Sequence, residues 1–315
     1  MAATPLVSVV IPTYRRPQYL RQAIQSVLAQ DFQDWRLAVH DDGGIPENRA
    51  VVESFGDPRI EHRVNPRRLG IGVNKFTGWQ GAQGRYLANL DDDDLWEPHF
   101  LSTLVAILEA DPSLVIAFGS HAVVDADGVV DPAATAANEA RYRGGLAPGR
   151  HESLGRLVLV DQAIPLTMAS LIRRERVDWH DFPPETDVVA DYWLGYLLVR
   201  SGGGAFYEPQ SLTRYRVHGA SATMAGGLAW HRSFAACYGR LLRDPQLRPL
   251  WPEFRSRLGA YERRAAICQL EAGDVPAARR SCRRALAAAV TAPTLAVAAM
   301  SLSGSLGRRA VALLR

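Results

Sequence analysis

Four consecutive aspartates, Asp91 to Asp94, follow the apolar run Arg85 to Leu90. Four carboxylates at the end of a strand repel one another and are costly to desolvate, so the run is hard to explain as structure alone. It is natural as a hard-cation site built from oxygen ligands. The plainer alternative is a solvated acidic turn that caps the helix expected near Pro98. A second acidic pair, Asp41-Asp42, ends the stretch Arg36 to His40, where a carboxylate can accept hydrogen bonds from a nucleobase or ribose. An Asx-turn into Gly43-Gly44 would use the same residues.

The elements that must position these groups are legible as an alternation. Leu6 to Ile11 is short, β-branched and apolar, the pattern of a central strand covered on both faces. A Pro12-Thr13-Tyr14 turn follows, and Pro17 opens a helix carrying Leu20, Ile24, Val27 and Leu28 at helical spacing. A strand at 36–40, a helix at 47–55, a strand near 59–63, a helix at 72–83, a strand at 85–90 and a helix from Pro98 to about Ala110 continue it. The expectation is an α/β fold with a parallel sheet and helices on both faces. Ligands bind at the carboxyl ends of such strands, so Pro12 to Tyr14, Asp41 to Gly44 and Asp91 to Asp94 should converge on one crevice. Leu114 to Ser120 reads as another strand, Val123 to Val130 as a hairpin, and Asp131 to Gly149 as a flexible or partly ordered loop. From His151 to Thr223 the pattern is irregular, apart from a helix at 190–201 and a short strand near 205–207. Beyond Leu228 it is helical, with a break at Gly273-Asp274.

Taken in order, VVIPTYRRPQYLRQAIQSVLAQ, VHDDGG and GWQGAQGRYLANLDDDDLWEP resemble glycosyltransferase family 2, the inverting nucleotide-sugar enzymes of the GT-A fold. The match is strongest over residues 5 to 110, and a second block, Asp191 to Ser221, extends it. The resemblance implies a Rossmann-like, mostly parallel GT-A sheet in a catalytic domain of residues 1–225. Its nucleotide-binding half spans about 5–120 and its acceptor half about 121–225, with a helical region over 226–315. It also implies that Pro12, Thr13 and Tyr14 lie beside the nucleotide, that Asp42 or Asp41 approaches the base, and that Asp91 and Asp92 serve the donor. Asp93 is the preferred ligand of a divalent metal, Mg²⁺ or Mn²⁺, with Asp92 and Asp94 as substitutes. The spacing Ala82-x-Gly84-x-Tyr86 fits the same family, and Asn65 and Asn74 fall where polar donor contacts occur; ordinary turn chemistry competes for both. Asp191 matches the family's general base, although Ala190 stands where an acidic neighbour is usual. Glu185 and Asp187 compete for that role, and a helix N-cap is the structural alternative. Tyr215-Arg216-x-His218 resembles a closing motif whose arginine reaches the diphosphate and whose histidine reaches the metal. His40 reads as a core-edge residue.

The implied activity is transfer of a sugar from a UDP-, GDP- or dTDP-linked donor to a hydroxyl acceptor by one in-line displacement, with Asp191 as base. Other readings are a non-catalytic nucleotide-sugar-binding homologue and a sugar nucleotidyltransferase. The latter should show a glycine-rich basic loop after the first strand, and Pro12 to Arg16 has no glycine. A dinucleotide oxidoreductase is disfavoured because no GxGxxG follows that strand.

A formal charge of +3 from 36 basic and 33 acidic residues is too even for a nucleic-acid binder. Three cysteines, Cys237, Cys268 and Cys282, have neither disulfide nor zinc spacing, which fits a reducing cytoplasm. The first apolar run is too short for a signal peptide or membrane span. From Pro276 to Arg315 there are seven arginines and no acidic residue. This segment could rest on an anionic membrane surface through Leu295, Val297, Leu302, Leu306, Val311 and Leu313, placing the enzyme peripherally at the inner face. Packing on the catalytic domain, or a homo-oligomer contact, is the competing expectation.

Overall fold

The computed structural model describes residues 4–219 and 227–302. The chain divides into two compact units, one holding the residues up to Phe182 with Ala190–Gly219, the other holding Pro183–Val189 with the C-terminal helices. The division differs from a single boundary near residue 225 in the short segment 183–189.

The first unit contains one nine-stranded sheet. Its strands are β1 (Val7–Thr13), β2 (Trp35–Asp41), β3 (Ile60–Val64), β4 (Tyr86–Asn89), β5 (Leu95–Trp96), β6 (Leu114–Val124), β7 (Gly149–His151), β8 (Ser170–Arg173) and β9 (Gly204–Arg216). Their order is β3-β2-β1-β4-β8-β6-β9-β5, with β7 also paired to β9. The helices are α1 (Pro17–Leu28), α2 (Pro46–Glu53), α3 (Ile71–Gly81), α4 (Phe100–Ala110), α5 (Pro132–Tyr142), α6 (Leu154–Leu159) and α7 (Ala190–Ser201).

β1 is buried along its whole length and lies parallel to both β2 and β4, as its almost continuously apolar sequence predicts. Val9, Ile11, Leu20, Ile24, Leu37, Val39, Leu104 and Leu171 are among the side chains that form the core around it. The sheet is not wholly parallel. β8 runs antiparallel to both β4 and β6, and β5 and β7 run antiparallel to β9.

Three segments correct the sequence reading. Much of 131–149 is helix rather than loop: Asp131 caps α5 by accepting from the Ala134 N–H, Pro132 sits in the first turn, and Glu139 pairs with Arg143 at 2.7 Å. Glu139 also accepts from the Tyr207 hydroxyl at 2.8 Å, which fastens α5 to β9. The hairpin expected at 123–130 is one isolated bridge between Val124 and Val130, because β6 runs on to Val124 against β9. The strand expected near 205–207 extends to Arg216, with register shifts against β6 absorbing its irregular middle.

Gly84 lies where a Cβ would stand 2.7 Å from the Ser8 nitrogen and 3.0 Å from the Leu6 carbonyl oxygen. Both are backbone atoms of the β1 segment and cannot rotate away. Gly84→Ala is therefore expected to cost about 1–3 kcal/mol through overpacking. Urea unfolding reads this directly, and an unchanged midpoint would show that the β1 and β4 segments can separate freely here.

The second unit is helical, with α8 (Gly227–Leu241), α9 (Trp251–Glu271), α10 (Val275–Ala288) and α11 (Ala292–Leu302). The break at Gly273 is a left-handed turn (φ 80°), after which Asp274 caps α10 by accepting from the Ala277 N–H. Ala266, Leu270, Ala278, Cys282 and Val297 form its core. Of the apolar residues expected to face a membrane, Val297 is thus buried, whereas Leu295 and Leu302 are 52% and 72% exposed. Leu306, Val311 and Leu313 lie outside the described residues. No helix among the described residues is long and apolar enough to cross a membrane. Cys237, Cys268 and Cys282 are free thiols.

Candidate functional site

β1, β2 and β4 end at one edge of the sheet, since Thr13 is in register with Asp41 and Val10 with Asn89. Immediately after β1, Arg15 adopts φ 56°, a left-handed conformation that costs an ordinary residue roughly 1–2 kcal/mol. The turn separates its neighbours. Tyr14 is exposed, with the Arg68 guanidinium 4.4 Å from its ring centre. Arg16 turns onto the acidic run, and its Nη1 donates to Asp92 Oδ1 at 3.1 Å and Asp93 Oδ2 at 2.6 Å.

The four aspartates are a built turn rather than a solvated one. Asp92 is buried and its Oδ2 accepts from the Thr13 hydroxyl at 2.7 Å. Burial, reinforced by adjacent Asp93 and opposed by Arg16, pushes the Asp92 carboxyl up to about 7. Burial, with Asp93 and Asp91 nearby, holds Asp94 well above the usual carboxylate range, while its Oδ1 accepts from the Arg216 N–H at 2.9 Å. Asp93 Oδ2 also faces His218 Nε2 at 3.0 Å, and His218 packs against Tyr19 with ring centres 5.0 Å apart.

Asp191 stands in the first turn of α7 with its side chain 46% exposed. Its carboxylate meets the acidic turn through Lys75 of α3. The Lys75 ammonium lies 2.9 Å from Asp91 and 3.2 and 3.4 Å from the two Asp191 oxygens. Burial alone would lower the Lys75 ammonium pKa, but Asp191 and Asp91 more than reverse that and raise it above its ordinary range. Thr167 Oγ1 donates to Asp191 Oδ2 at 3.1 Å. Asn89 Nδ2 donates to Asp91 Oδ1 at 3.0 Å and to the Thr167 carbonyl at 2.8 Å. The carboxylates expected on the donor and acceptor sides therefore share one hydrogen-bonded cluster.

Other sequence-selected residues are engaged in building the crevice wall. Asp41 Oδ1 accepts from the Gly43 and Gly44 N–H groups and its Oδ2 lies 3.2 Å from His62, the Asx-turn alternative. Asp42 accepts from Asn65 Nδ2 and from the Leu69 and Gly70 N–H groups, which fixes the loop leading into α3. Asn74 is buried, donating to the His40 carbonyl and accepting from Asn65. His40 is itself buried, and burial draws its imidazole down to about 4. Pro12 is buried within β1. The Arg216 guanidinium is also buried, donating to the Asp93 carbonyl at 2.8 Å, the Ala126 carbonyl at 2.7 Å and Gln22 Oε1 at 2.7 Å. It holds the acidic turn in shape. Glu185 and Asp187 belong to the second unit, where Glu185 pairs with Arg240. Arg16, Lys75 and Thr167 were not selected from the sequence. For Arg16 a signal existed in its place directly after the Pro12-Thr13-Tyr14 turn.

Among the described residues no group of three or more His, Cys, Asp or Glu side chains is arranged to hold a metal. Asp93 and His218 nevertheless offer one oxygen and one nitrogen donor 3.0 Å apart. Asp93 and His218 are therefore the side chains that would hold a divalent ion here, the carboxylate being the donor type that Mg²⁺ or Mn²⁺ prefers.

The mixed sheet, with an acidic turn closing β4 and a second carboxylate opening α7, is the GT-A architecture. Residues 8–146 match the model of Glycosyl transferase family 2. The chain is 29% identical over 125 residues to a UDP-Glc:alpha-D-GlcNAc-diphosphoundecaprenol beta-1,3-glucosyltransferase of Escherichia coli, an alignment covering 40% of this chain and 49% of that protein. The first two curated relatives are spanned over only 39% and 49% of their lengths. Among solved structures, Staphylococcus aureus TarS 1-349 in complex with UDP-GlcNAc superposes with a TM-score of 0.68 at 13% identity, over 97% of this chain and 90% of that one. A mannosyltransferase of Pyrobaculum calidifontis in complex with GDP-Man and Mn²⁺ gives 0.54 at 18% identity, over 99% and 84%. At these identities the structures establish the fold.

Proposed function

We propose that the protein is an inverting glycosyltransferase that moves a sugar from a nucleoside-diphosphate donor to a hydroxyl acceptor. The observation that carries this reading is the joint cluster of Asp91, Lys75, Thr167 and Asp191, which sets a half-exposed carboxylate beside the acidic turn of a GT-A sheet. The donor nucleotide lies along the end of β1, with Pro12, Thr13 and Tyr14 against it and the loop braced by Asp41, Asp42 and Asn74 as its wall. Asp91 and Asp92 face the donor. A UDP donor is favoured, since the relative named above uses UDP-Glc and the first structural neighbour holds UDP-GlcNAc.

Asp191 accepts the proton of the acceptor hydroxyl while that oxygen attacks C1 from the face opposite the diphosphate. The bond from C1 to the phosphate oxygen breaks in the same step, so no covalent enzyme intermediate forms. Asp93 and His218 would hold the divalent ion, which supplies neutralisation of the charge on the departing diphosphate. Arg16 is placed to share that charge, and Arg216 keeps Asp93 and Asp94 in position. A lipid-linked glycan is the acceptor class favoured by the diphosphoundecaprenol-linked substrate of the relative, and an acid-free basic segment at 276–315 would suit a membrane-held acceptor.

Calorimetric titration of UDP, GDP and dTDP, with and without Mn²⁺, tests the donor site. UDP is expected to bind at least tenfold more tightly with the ion, and Asp93→Ala to abolish that difference. Equal binding with and without Mn²⁺ would remove metal dependence from the reading. Nucleotide binding without donor hydrolysis would favour the non-catalytic homologue suggested by Ala190.

A further inference from the structure

We infer that Lys75 is a positioning residue for the transfer step, fixing the proton-accepting carboxylate of Asp191 relative to the donor carboxylate of Asp91. The inference rests on the reading of Asp191 as base. Lysine is among the side chains least often buried, yet Lys75 is 5% exposed, with its stem within α3 and its ammonium between carboxylates from two distant parts of the chain. The geometry is directional as well as neutralising. One ammonium reaches Asp91 at 2.9 Å and both Asp191 oxygens at 3.2 and 3.4 Å, and Thr167 Oγ1 adds a second donor to Asp191 Oδ2 at 3.1 Å.

The partner of that ammonium is itself immobile. Asp91 is held by Asn89, which accepts from Trp79 Nε1 at 2.8 Å and donates to the Thr167 carbonyl at 2.8 Å. Trp79 and Lys75 both lie on α3, so the path from α3 to Asp91 closes through two separate contacts. Asp191, by contrast, is on a helix end with nearly half its side chain open to solvent. Without the Lys75 and Thr167 donors its carboxylate would sample several rotamers, and a displacement of about 1 Å in a reacting group can cost on the order of 100-fold in rate.

A cation needed only to offset the acidic turn could be replaced by another cation. A cation that aims a carboxylate could not, because the planar guanidinium fork of arginine delivers its hydrogen bonds along different directions from an ammonium. Lys75→Arg therefore separates the two roles while keeping the charge. UDP release from UDP-glucose and UDP-GlcNAc, with water as acceptor, gives kcat and KM, and calorimetry with UDP and Mn²⁺ gives affinity without turnover.

The expected result is that Lys75→Arg retains its melting temperature and binds UDP within threefold of wild type, while kcat falls at least tenfold. Lys75→Met is expected to lose at least a hundredfold in kcat. Full activity of the arginine variant would overturn the inference and leave Lys75 as a charge balance. A loss of UDP affinity matching the loss of turnover would also overturn it, placing Lys75 in donor binding. Asp191→Asn run alongside isolates the parent reading. If that variant keeps wild-type turnover, Asp191 is not the base and the positioning role falls with it, whereas an inactive Asp191→Asn beside an unaffected Lys75→Arg removes this inference alone.

Discussion

Asp191→Asn is expected to lower kcat by about 10³-fold, close to 4 kcal/mol of transition-state stabilisation, while leaving UDP affinity within a few-fold of wild type. The asparagine keeps the size of the side chain, so the first turn of α7 should be undisturbed, and its amide oxygen can still accept from Thr167 and Lys75. What it cannot do is take a proton from an attacking hydroxyl. On the proposed mechanism the loss should fall on kcat, because the carboxylate would take a proton from the acceptor rather than hold the nucleotide. Initial rates at saturating donor, with isothermal titration of UDP, check both halves. A variant retaining more than a tenth of wild-type turnover would move the base elsewhere, and Glu185→Gln and Asp187→Asn would be the next substitutions.

Arg216→Met is expected to destabilise the protein by about 3–5 kcal/mol, because it leaves several buried acceptors without a donor. Its guanidinium is fully buried, and its closest acceptors are the carbonyls of Asp93 and Ala126 and the Gln22 amide oxygen, with the Asp125 carbonyl further off at 3.5 Å. Each acceptor left dry costs about 1–3 kcal/mol. The backbone bond from Arg216 to Asp94 survives the substitution, so the loss belongs to the side chain. Arg216→Lys should recover only a fraction, because one ammonium cannot span three acceptors that the guanidinium meets with different nitrogens. Chemical denaturation followed by circular dichroism measures this, and a midpoint unchanged in the Met variant would mean that water or a neighbouring donor satisfies these acceptors.

The donor half of the fold was legible because its signals are local. An almost continuously apolar strand, a proline turn, alternating helices and a run of four aspartates each announce themselves within a few residues. The acceptor half depends on long-range pairing. β8 is only four residues long and ends in Arg173, a charge that argues against a central strand. The structure accommodates it by giving its guanidinium the carbonyls of Leu114 and Leu108 and the Tyr86 hydroxyl, partners distant in sequence. β9 contains Glu208-Pro209-Gln210, which reads as a turn and is tolerated where the register against β6 shifts. α5 was mistaken for a loop because glycines follow it, although the Asp131-Pro132 start signal was present.

The site divides along the same line. Asp91, Asp93, Asp191 and His218 were selected, and the fold gathers them along one edge of the sheet. Lys75 and Arg16 were not, because a single cation in an apolar helix or after a turn carries no chemistry until its carboxylate partners are known. Asp41, Asp42, Asn74 and Arg216 were chosen for reach toward a ligand, and in this structure their side chains are bonded to protein atoms. Polar residues near a site hold its shape as often as they touch its ligand, and spacing alone does not separate the two duties.

β8 is bonded on one side to β4 and on the other to β6. That short strand makes a continuous backbone ladder from the donor side to the acceptor side, so the sheet behaves there as a single plate rather than as two lobes joined by a hinge. The segments between these strands, 125–169 and 174–203, begin and end on strands of the sheet, and the first rejoins it midway where β7 pairs with β9. Such an arrangement would let the segments between the strands change in length or sequence without disturbing the register that holds the acidic turn.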